Sequence, residues 1–491
     1  MSNLFLRKPL SQLNEEAEKN EYGLKRHLTA WNLILLGIGC VVGAGIFVIT
    51  GTASALYAGP SLVISFLLSA LGCAFAGLCY AEFASMIPIS GSAYTYAYAT
   101  MGEFIAWIIG WDLILEYLFG AATVAVGWSG YVNSFLNSFG VFLPQSISGC
   151  PFAIDIYGWH ATGSIINFPA VFIVLMMTTF LVIGIKESAK LNDIIVLVKV
   201  AVILLFIGFG FSYINVSNWM PFIPENTGAW GHYGWSGILT GAGVIFFAYI
   251  GFDAVSTTSQ EAINPRRDLP KGILVSLAIC TVLYIAVCLT MTGIVYYKDL
   301  NVPAPVALAI DRAGSALHWL TPIVSIGAIA GLTSVVLVLI LGQSRVFFTM
   351  ASDGLLGKSF TKVHPKFKTP YITTIVTGCT CALIAGIFPI DLLGKMVSIG
   401  TLLAFTIVCA GILILRKTEP DAPRSFRTPW VPFVPIMGIL VCLAEMAALP
   451  LDTWMRLLGW MAVGFIIYFT YGRRHSKVRK MRSSRKSSAL D

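Results

Sequence analysis

Gly37 to Phe47 read GIGCVVGAGIF, and the reading of this stretch decides how the chain is built. It lies in an apolar run from about residue 30 to 55, long enough to cross a bilayer core of about 30 Å. Four glycines in eleven residues are poor helix material, since each costs roughly 1 kcal/mol relative to alanine inside a helix. A dinucleotide-binding fingerprint does not fit, because GIGCVVG sets its last glycine one residue too far along and follows no strand. Gly39 and Gly43 do fit a GxxxG helix-packing face. The remaining reading is a broken helix. Unwinding around Gly43, Ala44 and Gly45 would free backbone N–H groups at the start of a half-helix, where an anion is favoured. Irregular backbone at membrane depth is tolerated only where it lines a cavity.

A second interruption favours binding over packing alone. FFAYIGFDAVS, Phe246 to Ser256, sets Gly251 and the ionisable Asp253 inside another apolar run. Paired interruptions at corresponding positions of two halves point to the central site of a transporter. Apolar runs are expected to span near 30–55, 62–86, 103–133, 167–186, 192–215, 237–260, 272–296, 319–341, 371–388, 394–415, 430–449 and 455–472. The breaks then fall in the first and sixth spans. An odd number of spans per repeat turns the second repeat upside down relative to the first. The expected fold is an all-α polytopic membrane protein of twelve transmembrane helices. Residues 30–215 and 237–415 form a five-plus-five inverted repeat, and 430–472 add two C-terminal helices. A segment over 1–29 precedes them and a basic tail over 473–491 follows.

Composition agrees. Of 491 residues 57% are hydrophobic and 11% charged, with mean hydropathy +0.80. A soluble domain carries about 25% charged residues. Alternate loops and both termini hold 27 of the 32 Lys and Arg residues, which places those segments and both ends in the cytoplasm. The net charge of +8 has this origin. The tail RRHSKVRKMRSSRKSS is expected to meet anionic lipid headgroups, not nucleic acid. No cleavable signal peptide is evident. Only Cys150 of ten cysteines falls in an outer loop, so no outer disulfide is expected.

Other machines are excluded in turn. No histidine has metal-ligand spacing to another histidine or a cysteine, and Cys379 and Cys381 form only CxC in an apolar run. No GxxxxGK[ST] loop offers ATP as an energy source. No ring of repeated pore-lining segments suggests a channel. An enzyme, a metal and an organic cofactor are therefore not expected.

The stretches GIGCVVGAGIFVITGTASALYAGPSLVISF, CYAEFASMIPISGSAYTYAY, GWDLILEY, FFAYIGFDAVSTTSQEAINPRRDLPKGI, GQSRVFFTMASDGLL and SFRTPWVPFVPI run in order between about residues 22 and 474. Together they resemble an amino acid permease of the amino acid–polyamine–organocation superfamily, in the branch named for cationic amino acid transporters. The resemblance implies a LeuT-like fold and proton-driven uptake of a free L-amino acid across the plasma membrane, and the lack of targeting or glycosylation context points to a bacterial inner membrane. It places the substrate carboxylate at the amides of Val41, Ala44 and Gly45, and the ammonium at the carbonyls of Phe247, Ala248 and Ile250. Phe247 resembles an outer gate. The chemistry of the breaks agrees, because freed N–H groups suit an anion and freed C=O groups a cation. Hydrogen bonds to charged groups contribute roughly 1.5–3 kcal/mol each.

Charges within the spans carry the remaining expectations. Lys199 interrupts IIVLVKVAVILLF, where a lysine at the bilayer centre costs about 2.5–3.5 kcal/mol. It either snorkels to the cytoplasmic surface or, as the resemblance implies, replaces the sodium of sodium-coupled relatives and bridges spans one and eight in proton coupling. Asp112 and Glu116, at i and i+4, share a helix face; the resemblance brings Glu116 near the substrate. Asp253 is expected to steady the unwound part of span six. Glu82, Glu261 and the turn Asn264-Pro265-Arg266-Arg267 read as a gating or loop-locking network near the cytoplasm. GQSRVFFTMASDGLL reads as an interfacial segment anchored by Arg345 or, as the resemblance implies, as an inner loop helix that rearranges during gating. Leu339 matches a position where a bulky apolar residue shortens the pocket, which favours neutral over cationic amino acids. An exchanger, a carrier of arginine or lysine, a small membrane subunit, and a sensor that binds without transport stay open as alternatives.

Overall fold

Thr29 starts the first helix with a capping box: its side chain accepts from the Asn32 amide, and Asn32 Oδ1 accepts from the Thr29 amide at 3.1 Å. Helix α1 (Ala30–Val41) then stops inside its apolar run, where Val42 turns extended with ψ of 92°. In the computed structural model, which describes residues 4–8, 28–86, 92–155, 158–184, 189–253, 255, 262–422, 424 and 426–481, the run resumes as a wide π-turn over Gly45–Ile49. Helix α2 (Thr50–Ala53) and a second π-turn (Ser54–Ala58) complete it. Helix α3 (Leu62–Met86) has the bounds read from sequence.

The sixth run breaks as well. Here we number on through α4 (Ser92–Thr100), α5 (Glu103–Ser138), α6 (Gln145–Ser148), α7 (Phe168–Ile183), α8 (Ala189–Gly210) and α9 (Gly234–Ile245). After α9 the chain tightens into a 3-10 turn over Phe246–Tyr249, and Ile250 is extended. Gly251 has φ of +112°, a conformation open to glycine and strained for a side chain. Beyond the breaks follow α10 (Pro265–Ile294), α11 (Pro305–Ala313), α12 (Leu320–Ser352), α13 (Tyr371–Ile387), α14 (Ile390–Thr418), α15 (Phe433–Ala448) and α16 (Leu451–Ile467).

The protein is mostly helical and polytopic. Among the described residues, seven helical stretches are long and apolar enough to cross a membrane, the first of them Ala30–Met86, which holds both α1 and α3. Four shorter apolar helices accompany them: α7, the α9 run, α13 and α15. Helix α5 has 36 residues, about 54 Å at 1.5 Å per residue, and overshoots the bilayer core. It packs against α12 and α14, while α10 packs against α1 and α3.

Three features depart from the sequence reading. GQSRVFFTMAS is not an interfacial loop but the last third of α12, with Gln343, Ser344, Val346 and Met350 buried. The stretch holds no proline, and the helix ends only at Ser352, with Gly354 just beyond it at φ of +84°. Ser92–Thr100 forms a short helix whose Tyr94, Tyr96 and Tyr98 are buried. A two-stranded hairpin, β1 (Phe152–Asp155) with β2 (Gly158–Ala161), sits between α6 and α7.

One end of the bundle is tied by ion pairs. Glu82, fully buried, accepts from Arg416 at 2.8 and 2.9 Å, lies 3.1 Å from Arg424, and accepts from the Thr428 amide at 2.8 Å. It thereby clamps the segment between α14 and α15. Removing one member of a buried pair costs about 3–5 kcal/mol. Glu82→Gln should therefore lower the thermal midpoint of the purified protein and expose the 419–432 segment to protease, as read by limited proteolysis. Glu261 lies outside the described residues.

Cys150 is half-buried at the other end, with Sγ 3.2 Å from the Phe388 carbonyl. No disulfide joins cysteines among the described residues. Burial pushes the Cys150 thiol up to about 11. The reactive thiolate is therefore scarce at pH 7. Maleimide labelling of Cys150 should be slow there and keep rising with pH beyond the range where an ordinary thiol has levelled off.

Candidate functional site

The two breaks lie against each other. A Cβ built on Gly45 would stand 2.3 Å from Ala248 Cα, and one built on Gly251 would stand 2.9 Å from both Cβ and the carbonyl oxygen of Cys40. Only glycine lets these backbones meet. The glycines therefore serve contact between broken helices as well as the breaks themselves.

The two chain ends created by the first break have opposite polarity. At the end of α1, Lys199 Nζ donates to the carbonyls of Gly39 at 2.7 Å and Val42 at 3.1 Å. The Val41 carbonyl accepts from Tyr284 Oη at 2.7 Å. Ala248 O lies 2.6 Å from the same hydroxyl, so one proton is shared between the two breaks. On the far side, the helix restarts with Phe47 N donating to Gly43 O at 3.2 Å. A helix start leaves its first amides without intrahelical acceptors, here those around Ala44 and Gly45. The site thus offers donors from one strand of backbone and acceptors from the other, with no charged side chain needed.

Its supports come from four other helices. Lys199 lies on α8, fully buried, and its stem packs on α12, where a Cβ on Gly331 would stand 2.8 Å from Lys199 Cδ. Ser398 on α14 accepts from Phe247 N at 3.2 Å and donates to Val244 O at 2.9 Å, which props the sixth break open at the 3-10 turn. The Phe247 carbonyl accepts from Ile250 N at 3.2 Å. Tyr117 on α5 donates to Asp253 at 3.2 Å, which fastens the residue just after the break. Leu339 on α12 meets α5 at Gly120, 3.4 Å from a Cβ built there.

Glu116 sits one turn before Gly120, buried, beside Thr401, with Asp253 and Asp112 as acidic neighbours. Asp112 is turned toward α14, 2.9 Å from a Cβ built on Gly400. Lys199, Tyr284, Val41, Ala44, Gly45 and the Phe247–Ile250 turn gather around the paired breaks. Glu82 does not; it belongs to the clamp at the end of the bundle.

A family model described as amino acid permease matches residues 28–469, which take in both breaks and every support named above. The chain belongs to the amino acid permease family. This is a family of the amino acid–polyamine–organocation superfamily, as the motifs implied. The methylthioribose transporter of Bacillus subtilis (strain 168) is 47% identical over 98% of this chain and 100% of its own length. The branched-chain amino acid permease BcaP of the same organism is 47% identical over 94% of this chain and 97% of its own. Cationic amino acid transporter 4, vacuolar, of Arabidopsis thaliana is 35% identical over 86% of this chain and 68% of its own. All three carry the names of carriers, not of enzymes.

Within this permease, sequence reasoning passed over Tyr284 and Ser398. Tyr284 had one available signal: a phenol inside an apolar helix needs a partner when buried. Ser398 had none, because a serine in a helix satisfies itself on its own backbone as readily as on a neighbour's.

Proposed function

We propose that this permease imports a neutral L-amino acid together with a proton across the plasma membrane, by alternating access around the paired breaks. The observation that carries this reading is the contact of Gly45 with the Phe247–Ile250 turn, which sets the start of the first run's second half beside the interrupted backbone of the sixth. An amino acid zwitterion matches both. Its carboxylate would take the amides around Ala44 and Gly45, beside Val41, whose own amide is turned back into α1 as that helix's last residue, and its ammonium the carbonyls of Phe247, Ala248 and Ile250. With the two broken runs counted once each, the long and shorter apolar helices number twelve, the arrangement we propose as two inverted five-span repeats and two further helices.

Lys199 supports coupling to protons, not to a metal cation. Its ammonium occupies the carbonyl cage at the end of α1 that a bound cation would otherwise fill. Loss or transfer of its proton weakens both bonds and frees α1 to move against α12. Leu339 against Gly120 supports a short apolar pocket for a small or branched side chain. The relative named for branched-chain amino acids agrees with that. The equally similar relative named for methylthioribose supplies the sharpest competitor, an uncharged ligand that would leave the break's donors and acceptors without their ionic partners.

Uptake into proteoliposomes tests the reading. Radiolabelled alanine, leucine, arginine and methylthioribose would be offered with and without an inward proton gradient. Gradient-stimulated accumulation of leucine or alanine is the expected result. Flux only against preloaded amino acid would make the protein an exchanger, preference for arginine a cationic carrier, and binding without flux a sensor.

A further inference from the structure

Glu445 lies on α15, in a part of the chain that the paired breaks do not use. It is 1% exposed, and neither carboxylate oxygen has a hydrogen-bond partner among the described residues. Three helices enclose it. A Cβ on Gly72 of α3 would stand 3.8 Å from its Oε1 and 3.6 Å from the Phe246 ring, so carboxyl and ring lie over the same glycine. A Cβ on Gly243 of α9 would stand 2.8 Å from the Glu445 carbonyl oxygen, so α9 rests directly on the α15 backbone. Thr240, one turn earlier, donates to Ala448 O at 2.7 Å. The carboxyl therefore sits behind the sixth break, on the flank where α9 hands over to the 3-10 turn at Phe246.

Among the described residues no charge compensates it. From α3 it faces Cys73; from the sixth run Tyr249, committed to Phe66 O at 3.1 Å; from its own helix Cys442, with Cys409 of α14 beyond. An ionised carboxylate in an apolar, unpaired setting costs far more than a neutral one. Glu445 thus carries its proton in this conformation. The proton can leave as H3O+ only when this enclosure opens and water reaches the oxygen. Phe246, which lies over the same glycine, is the first residue of the turn that must change if the sixth run rearranges.

We propose that Glu445 is a second proton-binding site of this permease, opened and closed by the turn at Phe246. The inference rests on the proposed alternation of the sixth run. It makes α15 part of the coupling machinery and not a peripheral brace.

Infrared difference spectroscopy on the full-length protein in lipid, stepped through pH, tests it without any substrate. A protonated carboxyl C=O band should persist at neutral pH, vanish in Glu445→Gln, and shift in frequency in Glu445→Asp. In Phe246→Ala the same band should titrate away at lower pH, because the ring over that glycine is gone. A band untouched by Glu445→Gln, or a titration unmoved by Phe246→Ala, overturns the proposal. Leucine uptake gives the second arm. A gradient of one pH unit coupled to one proton sustains about tenfold accumulation, and Glu445→Gln should lose that component while leucine still raises the thermal midpoint. Gradient-driven accumulation at the wild-type level in Glu445→Gln also overturns it. A wild-type protein whose uptake ignores the gradient sinks the symport reading instead, and leaves the spectroscopic result standing.

Discussion

Gly45→Ala should abolish uptake while leaving a folded protein. The added methyl would stand 2.3 Å from Ala248 Cα and 2.4 Å from Ala248 Cβ, and neither atom can rotate away. Overpacking a tight interior costs typically about 1–3 kcal/mol, and here the strain falls on backbone against backbone at the point where the two broken helices meet. Separation of the breaks by even a fraction of an ångström moves the amides of one away from the carbonyls of the other. Leucine uptake should drop at least a hundredfold, which is about 2.7 kcal/mol of lost binding or transition-state stabilisation. Gly208→Ala and Gly459→Ala supply the comparison, because nothing lies within 4 Å of a Cβ at either position. Both should transport at wild-type rates. If Gly45→Ala does so as well, the break is a packing seam and the proposed site is wrong.

What the sequence disclosed, and what it hid, follows from the range of the interactions. The bounds of α3 and the interruption near Gly43 were legible, because apolar length and helix propensity are local properties. The sixth break was legible for the same reason: Gly251 and Asp253 stand out in an apolar run. Tyr284 was not, because its partners Val41 and Ala248 are 243 and 36 residues away and nothing beside it in the chain marks a shared hydroxyl. The continuation of α12 through Gln343 and Ser344 was hidden because polar residues read as a loop when the helices that bury them are unknown. Glu445 shows the same limit. In sequence it is one acid in a run read as two added C-terminal helices, and only the meeting of α3, α9 and α15 removes it from water.

Lys199→Met separates the two readings of the lysine, since it keeps most of the stem and removes every donor. A snorkelling lysine would lose little by the change. The observed Nζ does not reach for the surface: it is fully buried and donates to Gly39 and Val42 at the end of α1. Two buried carbonyls left unpaired cost about 1–3 kcal/mol each, so the thermal midpoint should fall and leucine uptake should drop by roughly a hundredfold or more. Gly331→Ala reaches the same cage from the other side, because its methyl would meet Lys199 Cδ at 2.8 Å and tilt the ammonium off its carbonyls without deleting the charge. The pair discriminates between cap and coupler. If the lysine only caps α1, both variants lose stability and uptake in step, and what uptake remains still responds to the proton gradient. If its proton is a coupled one, Lys199→Met loses that proton's share of the gradient stimulation, about tenfold of accumulation per pH unit, while Gly331→Ala keeps the full gradient response at a lower rate because its lysine can still take up and release a proton.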